Sequence, residues 1–131
     1  MLYVVATPIG EDEDIGFRAV RLLRDAELVI GEEFKETMRL LKRLNIENKI
    51  VETLNEHSQD KDLVRLLRMV REKVSVLVSD CGTPGFCDPG TDLVAHCHKN
   101  RITVRSVPGP SSLSAFLSVF QLFEPALEDS S

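Results

Sequence analysis

Apolar positions along this chain follow two rhythms, short continuous runs and stripes that return at helical spacing. Leu2 to Ala6 is a run of strand type, after which Ile15, Ala19, Leu22, Leu23 and Ala26 recur as one face of a helix. The alternation continues with a strand over Glu27 to Ile30, a helix marked by Phe34, Met38, Leu41 and Leu44, and a strand over Lys49 to Thr53. Leu63, Leu66, Leu67 and Val70 then mark a helix, with Asp60 placed to cap it. Val74 to Val78 is a fourth strand. Asp88 and Pro89 suit the N-cap and first position of a helix through Leu93, Val94 and Cys97. Ile102 to Val107 is a fifth strand, and Pro110 opens an apolar helix through Leu113, Phe116 and Leu117. Strands separated by helices predict an α/β three-layer sandwich: a mostly parallel five-stranded sheet, right-handed crossovers, and helices on both faces.

Residues 1–123 read as one domain and 124–131 as a flexible tail. The chain has 131 residues, 43% of them apolar and 28% charged, enough for a single buried core. Its net charge of −5 argues against a generally positive surface for nucleic acid, although an RNA presented by a partner or a further domain is compatible with it. No apolar stretch reaches the length that spans a bilayer. Leu113, Phe116, Leu117, Val119, Phe120, Leu122 and Phe123 exceed what one helical stripe can bury in a lone domain, which predicts a homodimer.

Three cysteines and no secretory leader in this sequence point to a reducing cytoplasm. Zinc is worth weighing because Cys81, Cys87, His96, Cys97 and His98 lie close in sequence. There is no Cys-x-x-Cys pair, however, and three consecutive helical residues point in different directions, so the reading is buried thiols and surface histidines, with no metal.

Three strand-to-helix connections carry the candidate chemistry: Thr7-Pro8-Ile9-Gly10, the Ser79 to Pro89 segment, and Val107-Pro108-Gly109-Pro110-Ser111-Ser112. In a parallel sheet all three belong to the carboxyl edge, where ligands bind. Glycines there allow close backbone approach and prolines fix its shape. None fits the dinucleotide or phosphate-loop glycine patterns, and each alone reads equally well as a tight turn.

Together with the opening Leu2-Tyr3-Val4-Val5-Ala6 strand, these segments resemble the tetrapyrrole methylase superfamily. The middle one, Val78-Ser79-Asp80-x-Gly82-Thr83-Pro84-Gly85-x-x-Asp88-Pro89-Gly90, is the longest match. Within the superfamily the chain looks most like the bacterial branch that methylates a cytidine ribose 2'-hydroxyl of small-subunit ribosomal RNA. The resemblance implies an S-adenosylmethionine-dependent methyltransferase, a homodimer, and a partner in ribosomal RNA or the small ribosomal subunit. It places Pro8, Gly10, Asp80, Gly82, Thr83, Pro84, Gly85, Pro108, Gly109 and Ser111 on the cofactor side.

Departures from the family pattern fall beside these matches. After Gly10 the family usually continues Asn-Leu-x-Asp, where this chain has Glu11-Asp12-Glu13-Asp14. These carboxylates complement a helix N-terminus, or alternatively repel RNA phosphate at the mouth of the cleft. Where relatives carry Ala-Glu-Asp-Thr-Arg, this chain reads Gly31-Glu32-Glu33-Phe34-Lys35; Glu32 keeps one acid, and Lys35 lacks the two-pronged phosphate grip of arginine. Asn55-Glu56-His57-Ser58 resembles the family's Glu-His-Asn stretch. His57 and Glu32 are thus the candidate catalytic residues, with a solvated loop histidine as the competing reading of His57. Cys87 stands where serine is customary.

Family members continue into a second α/β domain that completes the cleft, and this chain stops at Ser131, so it is expected to need that domain for activity. The alternative expectation is a degenerate, non-catalytic homologue that serves as a dimerisation or binding module.

Overall fold

Among the described residues nine elements alternate: β1 (Leu2–Ala6), α1 (Phe17–Asp25), β2 (Leu28–Gly31), α2 (Phe34–Arg43), β3 (Ile50–Thr53), α3 (Asp60–Glu72), β4 (Ser75–Ser79), α4 (Asp88–Lys99) and β5 (Val104–Val107). The computed structural model describes residues 1–6, 16–79 and 88–107. The helix expected beyond Pro110, its apolar surface for a homodimer, and the 124–131 tail lie outside the described residues.

The strands form one parallel sheet in the order β3-β2-β4-β1-β5. β1 lies in register between its neighbours: Leu2 to Ala6 pair with Ser75 to Ser79 on one side, and Leu2 to Val5 with Val104 to Val107 on the other. A strand buried on both faces reads as an unbroken apolar run, and all four residues of β2 are buried. At the edge, β3 leaves Ile50 exposed.

Strand side chains alternate between two cores. Leu2, Val4, Leu28, Ile30, Leu77 and Val104 meet Leu66 and Val70 of α3 and Leu93 and Cys97 of α4. Val5, Val29, Val76, Val78 and Val107 meet Ala19 and Leu23 of α1 and Leu41 of α2. Each helix thus buries a stripe four residues apart, and the sheet is covered on both faces as the sequence pattern predicts. No helix among the described residues is long and apolar enough to cross a membrane.

Two local expectations change. Phe34 and Met38 were expected to face the core, yet they are 53% and 43% exposed; the buried stripe of α2 is Thr37 and Leu41. Thr37 is tolerated there because its hydroxyl donates to Glu33 O at 2.8 Å, which leaves no unpaired donor. The cap of α3 is Gln59 rather than Asp60. Gln59 accepts from the third helical amide while its own N–H donates to Asp62 Oδ2 at 2.9 Å. Asp60, inside the first turn, still faces the helix dipole favourably.

The carboxyl ends of α2 and α4 close in the same way. Ile46 N–H donates to Leu41 O at 2.9 Å with Asn45 left-handed (φ 57°), and Ile102 N–H donates to Cys97 O at 2.8 Å with Arg101 left-handed (φ 59°). An L side chain in that region costs roughly 1 kcal/mol, most for a β-branched one. Arg101→Gly is therefore expected to raise stability by up to about 1 kcal/mol and Arg101→Val to lower it by at least as much. Urea denaturation of both variants checks this, and equal effects would contradict the strain.

Candidate functional site

β4, β1 and β5 end side by side at the carboxyl edge, with Ala6 paired to Ser79 and Val5 to Val107. Each of these strands leads directly into one of the three Gly- and Pro-rich connections. Segments 7–15, 80–87 and 108–131 lie outside the described residues, and with them Pro8, Gly10, Asp80, Gly82, Thr83, Pro84, Gly85, Pro108, Gly109 and Ser111. The described strands bring the starting points of the three connections together.

The central strand β4 leads to α4, on the face it shares with α3; its neighbours β1 and β2 lead to α1 and α2 on the opposite face. Chains leaving adjacent strands toward opposite faces leave a crevice above the carboxyl edge. The middle Gly/Pro segment starts from the strand at the centre of that crevice.

β2 and β3 contribute the rest of the edge, tied together by backbone. Leu54 N–H donates to Gly31 O at 2.8 Å, and the Asn55 side-chain amide donates to Glu32 O at 3.1 Å. Asn55 Oδ1 also accepts the His57 N–H at 2.9 Å, Asn55 N–H donates to Ser58 Oγ at 3.0 Å, and Ser58 N–H to Asn55 O at 3.0 Å. This is a closed turn of the kind asparagine favours. Its residues and the start of α3 line a cavity of about 280 Å³, bounded by Leu54, Asn55, Ser58, Gln59, Leu63 and, from α4, Asp92. Glu56 and Asp60 also border it, giving an edge rich in hydrogen-bond acceptors.

The two candidate catalytic residues stand on this edge, both open to water. Glu32 follows β2 and is exposed. His57 has an 85% exposed side chain, with Nε2 3.7 Å from the equally exposed Glu56 carboxylate. A contact so open to water holds little energy and does not fix an imidazole. Asn55, noted in the sequence only as the first residue of the His57 stretch, joins Glu32 to the His57 turn; an asparagine just after a strand is the signal for that turn.

Cys97 is fully buried in the α3–α4 core, and burial pushes its thiol up to about 11, so it stays protonated and inert. His96 Nδ1 lies 2.9 Å from Asp92 O within α4, and His98 is exposed. Among the described residues no group of three or more His, Cys, Asp or Glu is placed to hold a metal ion.

Gly31 answers to a single neighbour. A Cβ at this position would overlap Thr37 Oγ1, so the glycine at the end of β2 and the buried threonine of α2 fit only as a pair. Gly31→Ala is expected to cost about 1–3 kcal/mol through overpacking. Thr37→Ala in the same chain should recover part of that loss, a coupling that a double-mutant cycle of thermal or urea unfolding reads directly. Simple additivity would contradict the contact.

The model of the tetrapyrrole (corrin/porphyrin) methylases matches residues 1–123. The chain is 42% identical over 119 residues to the ribosomal RNA small subunit methyltransferase I of Leptospira biflexa, which covers 91% of this chain and 50% of that protein. It is 39% identical to the enzyme of the same name from Thermotoga maritima, over 90% of this chain and 53% of that one. The chain spans about half the length of the curated relatives it matches. Among solved structures, a cobalt precorrin-4 methyltransferase superposes with a TM-score of 0.64 at 20% identity, covering 82% of this chain and 45% of that one. A uroporphyrin-III C-methyltransferase of Thermus thermophilus, complexed with S-adenyl homocysteine, gives 0.61 at 24% identity, covering 82% and 47%. These structural likenesses concern the fold.

Proposed function

We propose a function that starts from this premise: the chain belongs to the tetrapyrrole (corrin/porphyrin) methylase family. The carboxyl edge of its sheet is one wall of an S-adenosylmethionine site, and the chain is the amino-terminal half of a methyltransferase for a ribose 2'-hydroxyl of small-subunit ribosomal RNA. The observation that carries this reading is the side-by-side ending of β4, β1 and β5, each feeding a Gly- and Pro-rich connection. The names of the relatives support ribosomal RNA as the acceptor, and with it work in the cytoplasm. A second domain supplies the opposite wall, and a second copy pairs through the apolar positions between Leu113 and Phe123.

The described edge suits such a cofactor. Asn55, Ser58 and Gln59 offer groups for ribose hydroxyls and amines, and the carboxylates of Glu56, Asp60 and Asp92 favour a cationic ligand nearby. The cofactor supplies an already activated methyl group. The protein's tasks are therefore to hold the acceptor hydroxyl in line and to accept its proton. Asp80 and the carbonyls of the 80–87 segment bind the cofactor, and Glu32 and His57 face the acceptor side. The open, unsupported position of His57 also favours a second reading, a non-catalytic binding module; methyl transfer from labelled cofactor to small ribosomal subunits by the 131-residue chain alone would sink that one.

Titration calorimetry tests the cofactor wall. Saturable heat is expected for S-adenosylmethionine or its demethylated product, with Asp80→Ala weakening the affinity at least tenfold, about 1.4 kcal/mol. No heat and no thermal shift with either compound would overturn the reading.

A further inference from the structure

Charge is distributed unevenly between the two faces of the sandwich. α1 and α2 carry Arg18, Arg21, Arg24, Lys35, Arg39, Lys42 and Arg43, all exposed, against the carboxylates of Asp25 and Glu36 alone. These seven cations and two anions make a net of +5 in a chain whose total is −5. On the opposite face, α3 sets Lys61, Arg65, Arg68 and Arg71 against Asp60, Asp62 and Glu72, and Arg65 is engaged by Glu52 at 2.7 Å. On the α1–α2 face Arg39 pairs with Glu36 at 3.5 Å; Arg18, Arg21, Arg24, Lys35 and Lys42 have no carboxylate partner among the described residues. Exposed acids nearby, Glu27, Glu32, Glu33 and Glu47, sit on the connections at the helix ends, and Glu11 to Asp14 precede α1 in sequence.

Aromatic side chains stand at one end of this basic surface. Phe17 and Phe34 open α1 and α2 and are 92% and 53% exposed. Each helix returns antiparallel to its preceding strand, so both rings lie at the carboxyl edge, beside the candidate site. Cations along a face with exposed rings at its end match the two needs of a single nucleic-acid strand, phosphate neutralisation and base stacking. A helix lying in a membrane would need its apolar side free, and here Ala19, Leu23 and Leu41 are spent on the sheet.

We propose that the outer surface of α1 and α2 docks the phosphate backbone of single-stranded RNA and leads it to the carboxyl edge, where Phe17 and Phe34 stack bases. The proposal rests on the reading of RNA as the methyl acceptor and adds to it the surface by which a net-acidic chain holds a polyanion.

Fluorescence anisotropy of the 131-residue chain with a fluorescein-labelled, mixed-sequence 20-nucleotide RNA tests it. Saturable binding is expected, weakening steeply between 50 and 200 mM KCl, with a log–log slope of about −3 to −4 if roughly five phosphates are neutralised. Arg21→Glu, Lys35→Glu and Lys42→Glu together should weaken binding more than tenfold and flatten that slope. Lys61→Glu, Arg68→Glu and Arg71→Glu, an equal change of charge on the other face, should stay within about threefold. Phe17→Ala with Phe34→Ala should cost about tenfold and leave the slope unchanged. Unaltered melting temperatures show that the variants fold. No RNA binding at 50 mM KCl, equal weakening by the two charge sets, unchanged affinity without the rings, or binding to phosphatidylserine vesicles in place of RNA would overturn the proposal. Calorimetry with S-adenosylmethionine on the same proteins separates the two readings: cofactor binding without RNA binding removes the docking face alone, and RNA binding without cofactor binding removes the cofactor wall alone.

Discussion

β1 hydrogen-bonds β4 on one side and β5 on the other, parallel and in register from Leu2 onward, and the carboxyl edge depends on that pairing. Because the strands are parallel, their ends reach the same edge; because β1 and β4 keep register to Ala6 and Ser79, they end at the same height. A slip of one residue would also exchange Val4 and Val5 between the two cores. The apolar packing that fixes the register therefore also fixes where the Gly- and Pro-rich connections begin. The backbone of residue 1 takes part as well: Met1 O accepts from Ser75 N–H at 2.9 Å, and its amine donates to Val70 O at 2.9 Å at the end of α3, where a positive charge meets the negative end of the helix.

Most of the fold was legible because its strands are continuous apolar runs and its helices carry stripes. Leu2 to Ala6 matched residue for residue, and the other strands shifted by one or two residues at their ends. The errors arose where polar side chains bonded to nearby backbone. Thr37 is buried through a hydrogen bond within its own helix, which displaced the stripe from Phe34 and Met38 and left both half in water. Gln59 and Asp62 form a reciprocal cap that a search for a lone acidic cap at Asp60 passes over.

The site was legible at the level of order and motif. The three connections could be assigned to one edge from strand alternation alone, and the sheet order makes their starting strands neighbours. What the sequence hid were relations across the edge, such as Asn55 reaching Glu32 O and Gly31 yielding its Cβ space to Thr37. The basic face was hidden for another reason. A net charge of −5 averages a positive pair of helices with the acidic connections at their ends and the carboxylates of the rest of the chain, and the packing of α1 and α2 on one side of the sheet gathers the cations. A total charge argues about solubility and bulk attraction, whereas a docking surface is local.

On the proposed reading, the cofactor binds at the carboxyl edge above β4, β1 and β5. Amide hydrogen exchange of the 131-residue chain, with and without saturating S-adenosylhomocysteine, tests it most directly. Slowed exchange is expected in peptides covering residues 6–16, 79–92 and 107–112, with no change at the opposite edge around Glu47 to Lys49 and Arg71 to Val74. Slowing confined to the opposite edge, or no slowing at all in the presence of the ligand, would contradict it.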